Sequence, residues 1–354
     1  VIGILGSDGL YTRDLRTGVQ QRWSARLPAG DFLSWPDVSA DGRTLVVSII
    51  GGSGQDQQVI GYDVWDVGSR TRIASIPTIG TGPAVVLPDG RSLFTATDDG
   101  TYEVLSLPGG GVRRAFRADF SGPGSQRLDF QPMAVTPDGD VLVEGADPGP
   151  SPISRPGRTA TTTGDQSPTN DRLGLIDPVS GRLLDEASLG AIYDISSVGW
   201  SRNTATVAVG TIDGTVETFD ARTLAVRHPP VVVTGGYVQS VDFSPDGAML
   251  VVGGADGALS FWSADALTRL GPPITSESNP SASWWAWFTP AGEVSGLMPT
   301  PSPPVGDQST HGQNFTFPGR PDEWMEQACR LAGGPMTSIE WASEVPDQPY
   351  RQLC

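Results

Sequence analysis

The chain has 354 residues, of which 45 are Gly and 31 are Pro, and its 23 basic residues, all Arg, face 40 Asp or Glu for a net charge of −17. The Gly and Pro content suits many tight turns and disfavours long helices, while an acidic balance without clustered cations excludes wrapping of a phosphate backbone, so no direct nucleic-acid partner is expected. No segment reaches the roughly 18 apolar residues of a membrane span, and a chain without Lys has no Gly-x-x-x-x-Gly-Lys phosphate loop.

Residues 2–6, 10–14 and 19–27 read as the second, third and fourth strands of a four-stranded unit, with two strands needed to complete the ends expected upstream of Val1. A turn then recurs at Asp41-Gly42, Asp89-Gly90, Asp138-Gly139, Arg202-Asn203, Asp246-Gly247 and Ala291-Gly292, in steps of 48, 49, 64, 44 and 45 residues. A repeat of that period predicts a propeller. The unit is fullest at residues 238–275: Val238 to Phe243 alternates, Ser244-Pro245-Asp246-Gly247 turns, and Met249 to Gly253 forms a second strand. Ala255-Asp256-Gly257 turns again, Leu259 to Trp262 forms a third strand, and Thr268 to Thr275 is available for a fourth. The last unit has an inner strand at 284–288, a second near 293–297 and a third at 314–317. The count predicts an all-β, seven-bladed propeller over residues 1–318 with incomplete first and last blades; a six-bladed ring, its two ends combined in one blade, is the alternative.

Third strands close on Trp65-Asp66 with Ser69, Ile176-Asp177 with Ser180-Gly181, Phe219-Asp220 with Thr223, and Trp262-Ser263; Arg13-Asp14 with Thr17-Gly18 is a further version. With the aromatic-Ser-Pro-Asp-Gly turn at 243–247, this pattern resembles the WD40 repeat over nearly the whole chain. It departs from that family in one respect. Only His228 and His311 are present, so the Gly-His dipeptide and its buried His–Asp hydrogen bonds are missing, and blade rigidity is expected to rest more on packing.

Three units carry surplus residues, at Gly51–Gln58, Ala146–Asp171 and Pro299–Gln313, each between a second and a third strand. In a propeller these connections share one face with the loops leading into the innermost strands, and insertions gathered on one face mark a binding side, unless loop lengths have simply drifted. The middle insertion, 146–171, with Pro148, Pro150, Pro152, Pro156 and the run Thr161-Thr162-Thr163, has the composition of a disordered linker. Aromatics at the start of inner strands fall on the same side: Phe32, Trp35, Phe130, Tyr193, Tyr237, Trp284 and Trp285, with Gln239 beside them. Each is either a partner contact or a wedge between blades, the role expected of Trp200, Trp287 and Phe288.

After residue 318 the alternation stops. Pro321 opens a helix with Asp322 and Glu323 in its first turn, Gly333-Gly334 ends it, and Thr337-Ser338-Ile339-Glu340 has capping-box spacing for a second, anchored by Trp341. This 319–354 tail, with Trp324, Ala328-Cys329-Arg330, Glu340-Trp341, Pro349-Tyr350-Arg351 and Cys354, is similar to the tail closing the WD40 regions of actinobacterial multidomain regulators that carry an upstream STAND-type ATPase module. It differs at Gly334-Pro335-Met336, where an Arg or Asn and a Leu are more common. The resemblance implies a cytoplasmic, non-enzymatic sensor or scaffold whose partner is another protein or an upstream module of the same polypeptide, without a cofactor. In that setting Cys329 and Cys354 are reduced; a disulfide between them is expected of the alternative, an extracytoplasmic ligand-binding propeller of a receptor or kinase. Two Cys and two distant His do not make a structural zinc set, the Asp-Gly turns lack the spaced carboxylates of a calcium loop, and no Gly-x-Ser-x-Gly nucleophile occurs. A propeller hydrolase or lyase is the third reading, and would require carboxylates converging on the central channel.

Overall fold

The computed structural model describes residues 2–6, 9–13, 19–23, 27–28, 30–52, 58–80, 82–97, 100–120, 129–136, 138–146, 172–189, 195–201, 203, 205–275, 283–299, 312–319 and 323. Within them the strands form seven antiparallel sheets that follow chain order. The first sheet is β1 (Ile2–Gly6), β2 (Gly9–Arg13) and β3 (Gln20–Trp23); the second is β4 (Phe32–Val38), β5 (Thr44–Gly51), β6 (Gln58–Asp66) and β7 (Thr71–Gly80). The third is β8 (Val85–Val86), β9 (Ser92–Ala96), β10 (Tyr102–Ser106) and β11 (Val112–Phe116). The fourth is β12 (Asp129–Val135), β13 (Val141–Ala146), β14 (Arg172–Asp177) and β15 (Arg182–Ser188). The fifth is β16 (Ile195–Ser201), β17 (Thr206–Thr211), β18 (Thr215–Asp220) and β19 (Val226–Val232). In the sixth, β20 (Val238–Phe243), β21 (Met249–Gly254) and β22 (Ala258–Ser263) are followed by β23 (Thr268–Arg269) and β24 (Ile274–Thr275), both paired with β22. The seventh is β25 (Trp285–Phe288), β26 (Glu293–Pro299) and β27 (Gly312–Pro318). An all-β chain of successive antiparallel sheets, several of them four-stranded, fits a β-propeller.

The recurring turn builds the same local structure at Asp41-Gly42 and at Asp246-Gly247. Ser39 Oγ donates to Asp41 Oδ1 (2.7 Å) and accepts from Thr44 N–H (2.9 Å), and the Gly42 N–H closes the turn on Ser39 O (2.8 Å). Ser244, Asp246, Met249 and Gly247 repeat those bonds one by one. Gly42 and Gly247 sit at φ +69° and +75°, where a Cβ is disfavoured, which is why Gly recurs there.

Among the described residues, an apolar cluster fills each seam between consecutive sheets. Leu10 and Trp23 of the first sheet meet Leu45, Val47 and Trp65 of the second, and Leu173 and Leu175 of the fourth meet Val207, Val209 and Phe219 of the fifth. Each fully buried side chain of this kind contributes about 1.5–3 kcal/mol. The position that closes each third strand always faces the preceding sheet: Trp65 the first, Leu105 the second, Ile176 the third, Phe219 the fourth and Trp262 the fifth.

The fourth strand expected over 268–275 is split into β23 and β24. Gly271 takes φ +131° and is followed by Pro272 and Pro273, which have no N–H to give the ladder. The helical tail predicted after residue 318, and Cys329 and Cys354 within it, lie outside the described residues apart from Glu323, which is helical.

Candidate interaction face

One end of the stack carries the connections between second and third strands and the segments leading into first strands. At the fifth to seventh sheets these are tied together: Thr234 N–H donates to Gly214 O (3.3 Å), Ala255 N–H to Tyr237 O (3.0 Å) and Trp284 N–H to Gly254 O (3.1 Å). Asp256, in the turn after β21, accepts the Gly235 N–H at 2.7 Å. In the preceding sheet Asp213 accepts from the Thr211 hydroxyl and from Thr215 Oγ1, the latter at 3.1 Å. Carboxylates of these turns are thus held by backbone N–H and Thr hydroxyl groups without any His, so packing is not the only source of rigidity. The long connections after β5, β13 and β26 leave from this same end.

Around these loops Ile212, Val232, Tyr237 and Trp285 are exposed. Tyr237 is 43% and Trp285 48% accessible, and the Tyr237 hydroxyl meets Ser283 Oγ at 3.4 Å. Trp284 points the other way, as the neighbouring residue entering a strand must. It is 6% exposed, its indole N–H donates to Gly257 O (2.9 Å), and its ring meets Phe315 edge-on at 5.2 Å. Phe32 and Trp35 are half-buried against the cluster between the second and third sheets. Trp35 has φ +43° and is the extra residue of a bulge between Ser34 and Pro36. Gln239 is half-buried and holds the equivalent bulge position in β20, between Val238 and Ser240. Phe288 is buried in the sixth seam and Trp200 half-buried in the fourth. Tyr193 and the Phe130 side chain lie outside the described residues.

Residues 228–263 match the family model of the WD domain, G-beta repeat. The match starts within β19 and stops at the last residue of β22, so it crosses from the outer strand of one sheet through three strands of the next. Together with the antiparallel sheets, it fits a WD40-type propeller and supports a protein-interaction role. No curated protein matches the chain. Among the described residues, no group of three or more His, Cys, Asp and Glu side chains is placed to hold a metal ion, and no helix is long and apolar enough to cross a membrane.

Side chains also bond across from one sheet to the next. Asp37 Oδ2 accepts Val86 N–H (2.6 Å), and at the equivalent place Asp242 Oδ2 accepts Phe288 N–H (2.7 Å). Ser197 Oγ accepts Val241 N–H and Ser240 Oγ accepts Ala286 N–H, both at 2.9 Å, while Glu144 Oε1 accepts Ile195 N–H at 2.8 Å. Innermost strands have one edge without a ladder partner, and these side chains satisfy N–H groups there that would otherwise be orphaned. Burial raises the Asp37 carboxyl above its ordinary value although the Val86 and Val38 N–H groups pull it down. At the opposite end of the fifth sheet, the Arg227 guanidinium, aided by the Arg222 and Thr223 N–H groups, holds Asp220 down to about 2. None of these clasps was singled out from sequence, although Asp37 and Asp242 each precede their turn Asp by four residues.

Asp242→Ala leaves Phe288 N–H without its acceptor, and urea unfolding is expected to show a loss of about 2 kcal/mol. Asp242→Asn keeps an acceptor oxygen and should lose less than about 1 kcal/mol.

Proposed function

We propose that this chain is a seven-bladed, non-catalytic interaction propeller, the C-terminal sensor or scaffold region of a larger bacterial signalling protein. Its partner is an upstream module of the same polypeptide, or a further protein, which it restrains or releases; residues 319–354 close the domain as a helical tail. The observation that carries this reading is the exposure of Tyr237 and Trp285 where the chain enters the innermost strands of neighbouring sheets, on a hydrogen-bonded face, with Ile212 and Val232 exposed at the same end. Aromatic side chains of this kind dominate binding energy at protein interfaces. A net charge of −17 favours a basic or neutral partner surface. The long connections leaving from the same end supply adjustable contact around that centre.

The test is a calorimetric titration of the upstream module against the propeller, as wild type and as Tyr237→Ala/Trp285→Ala. Removal of both rings is expected to weaken binding about 30-fold or more, equivalent to about 2 kcal/mol, with the urea midpoint unchanged because both side chains are exposed. No binding by the wild type, or equal affinity of the variant, refutes the reading.

A further inference from the structure

The fifth sheet contains a buried acid that its neighbours handle differently. Glu217, in β18, pairs with Val209 of β17 and lies two residues before Phe219. It therefore shares the face of Val207, Val209 and Phe219 that packs on Leu142, Leu173 and Leu175 of the fourth sheet. It is 6% exposed, and its Oε2 has no hydrogen-bond partner among the described residues. On the outer side the ladder skips it: Val216 pairs with Val231 and Thr218 with His228, and between those partners stand Pro229 and Pro230, which have no N–H.

The same position in the second sheet is Asp63, likewise two residues before the closing Trp65, and its Oδ2 is held by Arg72 Nη1 at 3.1 Å. Arg72 stands across from Trp65. In the fifth sheet the residue across from Phe219 is Val226. In the sixth sheet the corresponding polar group, Ser260 Oγ, accepts the Trp262 indole N–H at 2.8 Å. Glu217 bonds neither a cation nor an indole N–H among the described residues. Among the described residues, the facing side of the fourth sheet carries the acids Glu144, bound to Ile195 N–H, and Asp185, paired across β14 with Leu175, and, at the far end of β14, the cross-strand pair Asp177 and Arg182; none of them bonds Glu217. From its own sheet Val198, Trp200, Val207 and Val209 face it, Arg227 is held at Asp220, and His228 is held at Thr218 on the other face.

We propose that Glu217 makes the seam between the fourth and fifth sheets a proton-sensitive joint, closed when its carboxyl is neutral and loosened when it ionises. An uncompensated carboxylate buried between Leu173 and Val209 is costly, and the lowest-cost response is to admit water or a cation by opening the seam. Burial pushes the Glu217 carboxyl up from 4.5 to about 7. A group whose folded value is raised contributes its full stability below the unfolded value and loses it as pH rises through the folded one. The seam is thus tight in mild acid and loosens between pH 4.5 and about 7.

Amide exchange, corrected for the intrinsic pH dependence of the chemistry, tests this from pH 5 to 8 on the wild type, Glu217→Gln and Val226→Arg. In the wild type the seam amides of β14, β16 and β18 are expected to lose protection with rising pH, approaching tenfold per unit and on the order of 10²-fold in all, while the other sheets hold theirs. Glu217→Gln should be flat, and so should Val226→Arg, which places a guanidinium where the second sheet has Arg72 and changes an exposed residue. A flat wild type, a slope that persists in Glu217→Gln, or an equal loss in every sheet overturns the proposal. Should Glu217→Gln fail to fold, an unchanged slope in Val226→Arg overturns it equally.

Discussion

Gly253→Ala is expected to destabilise the protein by about 3 kcal/mol, with the loss centred on the seam between the sixth and seventh sheets. A Cβ on this β21 residue would collide with the Trp284 carbonyl oxygen and would lie 2.7 Å from Ser240 Oγ and 2.8 Å from the Trp284 carbonyl carbon. Neither obstacle has room to yield. Trp284 is pinned by its backbone N–H on Gly254 O and its indole N–H on Gly257 O, and Ser240 Oγ is engaged with Ala286 N–H. The methyl group is accommodated only by moving β25 off the sixth sheet, which breaks the Ser240 clasp and strains that of Asp242 as well. Gly109→Ala is the matched control, because no atom lies within 4 Å of its Cβ position, and its cost should stay within about 0.5 kcal/mol. Urea unfolding of both variants decides the matter: a Gly253→Ala loss no greater than that of Gly109→Ala would show that the strands separate freely.

Strand positions were legible because turn chemistry is local. The Asp-Gly turns punctuate the chain, and the strands read at 238–243, 249–253 and 259–262 fall within β20, β21 and β22. Binary patterning carried less. A sheet stacked on both faces buries both sets of alternating side chains, so Thr215 to Phe219 is buried at every position and Glu217 looks in sequence like a solvent-facing residue. The aromatics suffer from the same ambiguity. Trp284 and Trp285 are adjacent and chemically identical, yet one fills the sixth seam and the other is 48% exposed, since a single residue step reverses the face. Ile212, in a turn, and Val232, at the end of β19, escaped notice because an exposed aliphatic residue has no sequence signature. The broken outer strand was within reach, since Gly271-Pro272-Pro273 already argues against a continuous ladder.

The two closing tryptophans show how far identical sequence positions diverge in energy. Trp65 is 1% exposed, and its ring lies 5.6 Å from that of Trp23, so it is a main attachment of the three-stranded first sheet to the second. Trp65→Ala is expected to cost about 3–5 kcal/mol through the cavity left among Leu10, Leu45 and Val47, and to release the first sheet for early proteolysis. Its indole N–H, however, has no hydrogen-bond partner among the described residues. Trp65→Phe therefore gives up volume but no bond, and should cost only about 1 kcal/mol. At Trp262 the same replacement also removes the donor to Ser260 Oγ, which is buried and would be left with an unmade bond, adding about 1–2 kcal/mol. Urea unfolding should then rank Trp65→Ala as the most damaging, Trp262→Phe next and Trp65→Phe least. Equal losses for the two Phe variants would mean that the indole bond contributes nothing and that ring volume alone decides stability at this position.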